Sequence, residues 1–149
     1  MTVVATLAED LGTSQPTVRR AINVGMIRAQ RVSPRKVHIS VGEMTYLRDH
    51  WQLLAALREA LRTEPSVERA VLYGSVARGS DDGSSDIDLA VKFRSDLPYR
   101  AIDLQLRLSE RMQRSVQVID AAIVPSGHSL RLEIDRDGRT VVDRRGVAA

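Results

Sequence analysis

Apolar residues recur at helical spacing through the first sixty positions and then break into short runs separated by longer amphipathic stretches. Val4, Leu7, Ala8 and Leu11 form one stripe, Gly12 permits a tight turn, and Ser14 can cap a second helix that carries Pro16 in its first turn. Val18, Ala21 and Ile22 then face inward. After Gly25, residues 27–32 and 36–39 read as short strands joined by Ser33, Pro34 and Arg35. Ser40 and Glu43 have the spacing of a capping box, and Met44, Leu47, Trp51, Leu54, Leu57 and Leu61 continue a stripe that predicts one long helix.

Beyond that helix the texture changes. The apolar run 70–73 reads as a buried strand, 76–78 as the start of a short helix, 87–93 as a second strand, 98–113 as a helix and 116–124 as a third strand. A terminal pair surrounds Asp137 and Gly138. Leu97, Ala101, Leu104, Leu108 and Met112 share the face of the intervening helix that would cover a sheet, while Arg100, Asp103, Arg107 and Arg111 face water. The expectation is an α/β (α+β) chain: a module over 1–39, a linker helix over 40–63, and a helix-covered mixed sheet over 64–149 with its site at one sheet edge.

Chemistry concentrates between Leu72 and Val91. Gly74 and Ser75 follow the first strand of this half, and Asp86 and Asp88 stand at alternate positions, so a strand points both carboxylates one way and Ile87 and Leu89 the other. Paired carboxylates repel unless a cation favours their ionised forms, and an oxygen-only pair suits Mg²⁺ that shares its shell with water and phosphate. Gly74 lets backbone amides approach a phosphate, Ser75 adds a hydroxyl and Arg78 a permanent charge. Asp81, Asp82 and Gly83 lack the ligand spacing of an EF-hand calcium loop.

The segments YGSVARG and SDIDLAV, with ten residues between Ser75 and Asp86, resemble the minimal nucleotidyltransferases of the DNA polymerase β superfamily and their GS-x10-DxD signature. The resemblance implies that Gly74, Ser75 and Arg78 hold the triphosphate of ATP and that Asp86 and Asp88 hold two Mg²⁺ ions. It also implies a third carboxylate from a later strand. Counting without gaps through the preceding helix puts Gln117 there, whereas counting back from Leu130–Ile134 puts Asp120 there. The two have opposite parity in a strand, so only one faces the metals. Asp120 is the reading adopted, because a neutral glutamine cannot replace a negative ligand; with Gln117 as the counterpart, catalysis would be weak or absent. The resemblance further implies an antitoxin that adenylylates a HEPN-type toxin. The alternatives are a DNA-binding regulator without turnover and a small-molecule nucleotidyltransferase, the latter disfavoured by the small size of the chain.

Charge adds a second partner. The chain of 149 residues carries a net charge of only +3, yet between Leu11 and Gly42 there are six basic residues and no acidic ones. The two helices and basic hairpin resemble winged helix-turn-helix modules, which would place Gln15, Thr17, Arg19, Arg20, Arg35 and Lys36 against operator DNA. A homodimer would suit palindromic sites. With 43% hydrophobic and 3% aromatic residues, the core falls to aliphatic side chains. The absence of cysteine excludes disulfides and thiol catalysis, and no leader or long apolar segment is visible, so a cytoplasmic protein without a membrane partner is expected. His38, His50 and His128 have no metal-like spacing.

Overall fold

A computed structural model describes residues 2–145. The chain divides into two compact units, one up to residue 55 and the other from 56 onward.

The first unit opens with α1 (Val3–Leu11) and α2 (Gln15–Val24), capped by the Thr2 and Ser14 hydroxyls, which accept the amides of Ala5 and Thr17. Gly12 and Gly25 end these helices in the left-handed conformation, with φ of 67° and 95°, which glycine adopts without steric cost. Val4, Leu7, Ala8, Val18 and Ala21 are buried between them. Met26 and Ile27 are also core residues, so the hairpin begins later than the sequence suggests, with β1 (Gln30–Ser33) and β2 (Lys36–His38) antiparallel. Ser40 caps α3 (Val41–Arg62) through the Glu43 amide, and the Glu43 side chain accepts the Arg28 amide at 2.8 Å. Leu47, Leu54, Leu57 and Leu61 of α3 are wholly buried, as their spacing predicts.

The second unit is a four-stranded mixed sheet ordered β5-β4-β3-β6. Its elements are β3 (Val67–Tyr73), α4 (Gly74–Arg78), β4 (Ile87–Phe93), α5 (Ala101–Met112), β5 (Val116–Asp120), a 3₁₀ turn (Ala121–Ile123), α6 (Ser129–Asp137) and β6 (Arg139–Asp143). β3 runs antiparallel to both β4 and β6, whereas β4 and β5 are parallel and joined by α5. Ile87, Leu89 and Val91 point into the layer that holds Leu104 and Leu108. The opposite face carries Asp88 and, further along, the cluster of Val71, Tyr73, Ala90 and Ile134. Arg144 ties the end of α3 to the start of β3: its guanidinium donates to the carbonyls of Leu61 and Arg62, which the helix end leaves without helical partners, and to those of Glu64 and Val67.

Two features depart from the sequence reading. Residues 129–137 form α6, with the His128 side chain accepting the Leu130 amide at its start, and the last strand pairs with β3 instead of forming a local hairpin. β5 stops at Asp120, which caps the following turn. At the open side of β5, the amides of Val116 and Val118 donate to Ser109 Oγ and Gln105 Oε1 of α5, at 3.0 Å in each case. No helix among the described residues is long and apolar enough to cross a membrane.

Candidate functional site

β3 passes directly into α4 through Gly74, whose φ is +77°. A side chain would be strained in that conformation, and its Cβ would stand 2.5 Å from Asp88 Oδ2. The Gly74-Ser75 turn therefore lies directly against the Asp88 carboxylate. Tyr73 is the cross-strand partner of Asp88, which fixes this approach through the β3–β4 register.

Asp86 immediately precedes β4 and is exposed, Asp88 is half-buried, and Ile87 between them is wholly buried. Among the described residues, neither carboxylate accepts a hydrogen bond or joins an ion pair; Asp82, Asp120, Asp137 and Asp143 are all bonded. Burial, followed by the charges of Asp86 and Glu133, pushes the Asp88 carboxyl above its ordinary value, with Arg78 pulling the other way. Burial and the same acidic surroundings push the Tyr73 phenol up to about 12.

Such crowding fits a hard divalent cation, whose charge would relieve the repulsion. Among the described residues, no group of three or more His, Cys, Asp or Glu side chains is arranged to hold a metal. Asp86 and Asp88 are the pair that fits, since Mg²⁺ takes one or two carboxylates and completes its shell with water and phosphate oxygens.

The loop that presents Asp86 is ordered from within and from outside. Asp82 Oδ1 accepts the Ser84 amide at 2.8 Å, and Arg114, from the α5–β5 connection, donates to the carbonyls of Ser85 at 2.8 Å and Asp82 at 3.1 Å. Arg78 is held by α6: Nη1 donates to Asp137 Oδ2 at 3.1 Å and Glu133 Oε1 at 3.3 Å. Arg114 and Glu133 escaped the sequence reading. Nothing near Arg114 marks it, whereas Glu133 and Asp137 fall one helical turn apart once α6 is known.

The β4–β5 register pairs Asp88 with Gln117 and Val91 with Asp120. Gln117 is therefore on the Asp88 face and Asp120 has the opposite parity. Asp120 accepts the Tyr99 hydroxyl at 2.7 Å and the Ala122 amide at 3.0 Å, and the structure does not bring it to Asp86 and Asp88.

In the first unit, a groove of about 850 Å³ brings Arg19 of α2 together with Arg35 and Lys36 of the hairpin, and adds Arg31 and Asn23. Arg31 Nη2 donates to Asn23 Oδ1 at 3.3 Å, tying hairpin to helix. Gln15 and Arg20 are exposed outside the groove, and Thr17 is engaged with Ser14 at 2.8 Å and Arg20 at 3.2 Å.

A mixed sheet whose glycine turn abuts a carboxylate of the neighbouring strand, with a second carboxylate two residues before it, is an architecture of enzymes that transfer nucleotides. The family model described as "Polymerase beta, Nucleotidyltransferase" matches residues 55–146. The chain belongs to that family. Among solved structures, it is similar to a crystal structure of a toxin–antitoxin with AMP-PNP, with a TM-score of 0.52 and 21% identity over 62% of this chain and 74% of that one. A crystal structure of the toxin–antitoxin MntA-HepT gives a TM-score of 0.46 at 21% identity, over 62% of this chain and 72% of that one. Comparison with curated proteins finds no match.

Proposed function

We propose that this chain is a Mg²⁺-dependent nucleotidyltransferase that moves AMP from ATP to a protein, and that the recipient is a HEPN-type toxin for which the chain acts as cytoplasmic antitoxin. The observation that carries the enzymatic part is the close approach of Gly74 to Asp88, which sets the Gly74-Ser75 turn against one of two neighbouring carboxylates that accept no hydrogen bond among the described residues. Support for the partner comes from the toxin–antitoxin neighbour with AMP-PNP, which shares the fold.

In this reading Ser75 Oγ and the amides of the turn hold phosphate oxygens, and Arg78, steadied by Glu133 and Asp137, keeps its remaining donors for the same anion. Asp86 and Asp88 would hold the ions. Mg²⁺ at such a site supplies Lewis acidity that activates the attacking hydroxyl and neutralises the departing pyrophosphate. The acceptor oxygen bonds to the α-phosphorus, the bond from that phosphorus to the α–β bridging oxygen breaks, pyrophosphate leaves with the bonding pair, and the hydroxyl proton passes to solvent. Half-buried Asp88 and exposed Asp86 orient these groups from one side of the turn.

One observation favours a second reading. Gln117 occupies the position beside Asp88, and a neutral side chain there suits a protein that binds nucleotide and regulates without turnover. Labelled ATP, Mg²⁺ and the product of the adjacent gene separate the readings: label on that product is the expected result, none means regulation, and label on a metabolite alone means small-molecule transfer. Gln117→Asp, which adds a carboxylate to the Asp88 face, should raise transfer about tenfold or more; unchanged turnover would show that this position plays no part in it.

The first unit we assign to operator DNA. The basic groove shared by Arg19, Arg31, Arg35 and Lys36 supports that assignment. Binding to its own promoter fragment should weaken linearly with log salt, and Arg35→Ala should lower the slope by about one. No shift of the fragment at low salt would remove the claim.

A further inference from the structure

On the sheet face that bears Asp88, but at the other end of the strands, lies a separate cavity of about 420 Å³. Lys92 on its wall is four residues beyond Asp88, or about 13 Å along β4. Ile134 packs over Val71, Tyr73 and Ala90 in the space between. We propose that this cavity is a second binding site, for a small organic phosphate of nucleotide size, independent of the reaction at Asp86 and Asp88.

The walls come from four places in the chain. Arg69 of β3, Lys92 of β4, Arg131 of α6 and Arg145 after β6 supply cations, and Val71 and Ala90 supply an apolar floor. These cations share few counter-charges. Lys92 pairs with Glu68 at 3.4 Å, and Arg69 and Arg145 share Asp143 at 3.7 and 2.7 Å. Arg131 uses a single nitrogen, Nη2, on the carbonyls of Ala121 and Val124, at 2.6 and 3.1 Å. Even with Asp135, the one acid on the lining, four cations face three carboxylates, and the surplus is positive.

Arg69 lines the β3 side of the cavity: its Nη2 donates to Thr140 Oγ1 at 3.2 Å, and its buried Nε faces Asp143 Oδ2 at 3.7 Å. Guanidinium nitrogens match phosphate oxygens in both charge and geometry. The wall opposite is held close by Gly138, where a Cβ would meet the Ile134 carbonyl oxygen and stand 2.7 Å from Val71 Cγ1. An apolar floor under a cationic rim, at a volume usual for small-molecule sites, selects an anion with an organic body over a bare ion.

The test uses the full chain carrying Asp86→Asn and Asp88→Asn in EDTA, so that neither transfer nor metal-dependent binding at the first site contributes. Titration calorimetry with ADP should show one site, with adenosine silent and inorganic phosphate at least tenfold weaker than ADP. Lys92→Glu should weaken ADP at least tenfold, as should Ala122→Trp, which places bulk on the cavity wall, while both variants keep their melting temperature. Absence of ADP binding, equal binding in both variants, or phosphate binding as tightly as ADP would each overturn the proposal. Because no turnover is read, loss of the proposed transfer activity elsewhere leaves this outcome unaffected.

Discussion

Gly74→Ala should abolish nucleotide transfer, lowering it by at least about a hundredfold, and should destabilise the second unit by about 1–3 kcal/mol. Two penalties act together there: the left-handed φ of +77°, and a methyl carbon that would sit 2.5 Å from Asp88 Oδ2. Relief requires either the turn or the carboxylate to move, and both belong to the proposed site. Urea unfolding read beside a transfer assay checks the claim. A variant as active as the parent would mean that the turn and Asp88 need not touch.

Asp88→Asn should cost transfer about 10²–10⁴-fold, the few kcal/mol expected when a metal-ligand charge is removed, yet stabilise the metal-free protein near neutral pH. The sign follows from the raised native pKa. With the native carboxyl above its unfolded value of 3.8, the folded state binds the proton more tightly, so this group withdraws stability as pH rises from the unfolded value through the native one. Asparagine removes that withdrawal. In EDTA, the variant should melt above the parent at pH 7 and the gap should close towards pH 4, whereas the parent alone should gain stability from Mg²⁺ with nucleotide. A variant that melts lower at pH 7 would show that Asp88 is held by favourable contacts in the free protein.

The parts of this fold legible in the sequence were those in which a local rule and the tertiary structure agree. Ser14, Ser40 and the leucines of α3 declare their helices by capping and spacing, and the alternation Asp86-Ile87-Asp88-Leu89 declares a strand with one wet face and one dry one. α6 was hidden because Leu130, Leu132 and Ile134 alternate like a strand. The chain resolves this by burying Ile134 and leaving Leu132 59% exposed, so the helix is chosen by the i, i+4 pair Leu130 and Ile134. The choice between Gln117 and Asp120 depends on the parallel β4–β5 register, which is set by the packing of α5 and has no signature in the strand itself. Arg114 is invisible for a similar reason, since the carbonyls it secures lie about thirty residues earlier in the chain.

The sealing of β5 has a consequence for any protein recipient of AMP. With the amides of Val116 and Val118 already committed to Gln105 and Ser109, that margin offers an incoming backbone little to zip onto, and recruitment by sheet extension is closed off there. In the proposed transfer, a client approaching from this side would present its hydroxyl on a protruding side chain, reaching over the rim towards Asp86 as a finger reaches a switch. Selectivity would then reside in the client's own shape around that hydroxyl, and a short unstructured peptide bearing the same residue should be a poor substitute for the folded protein.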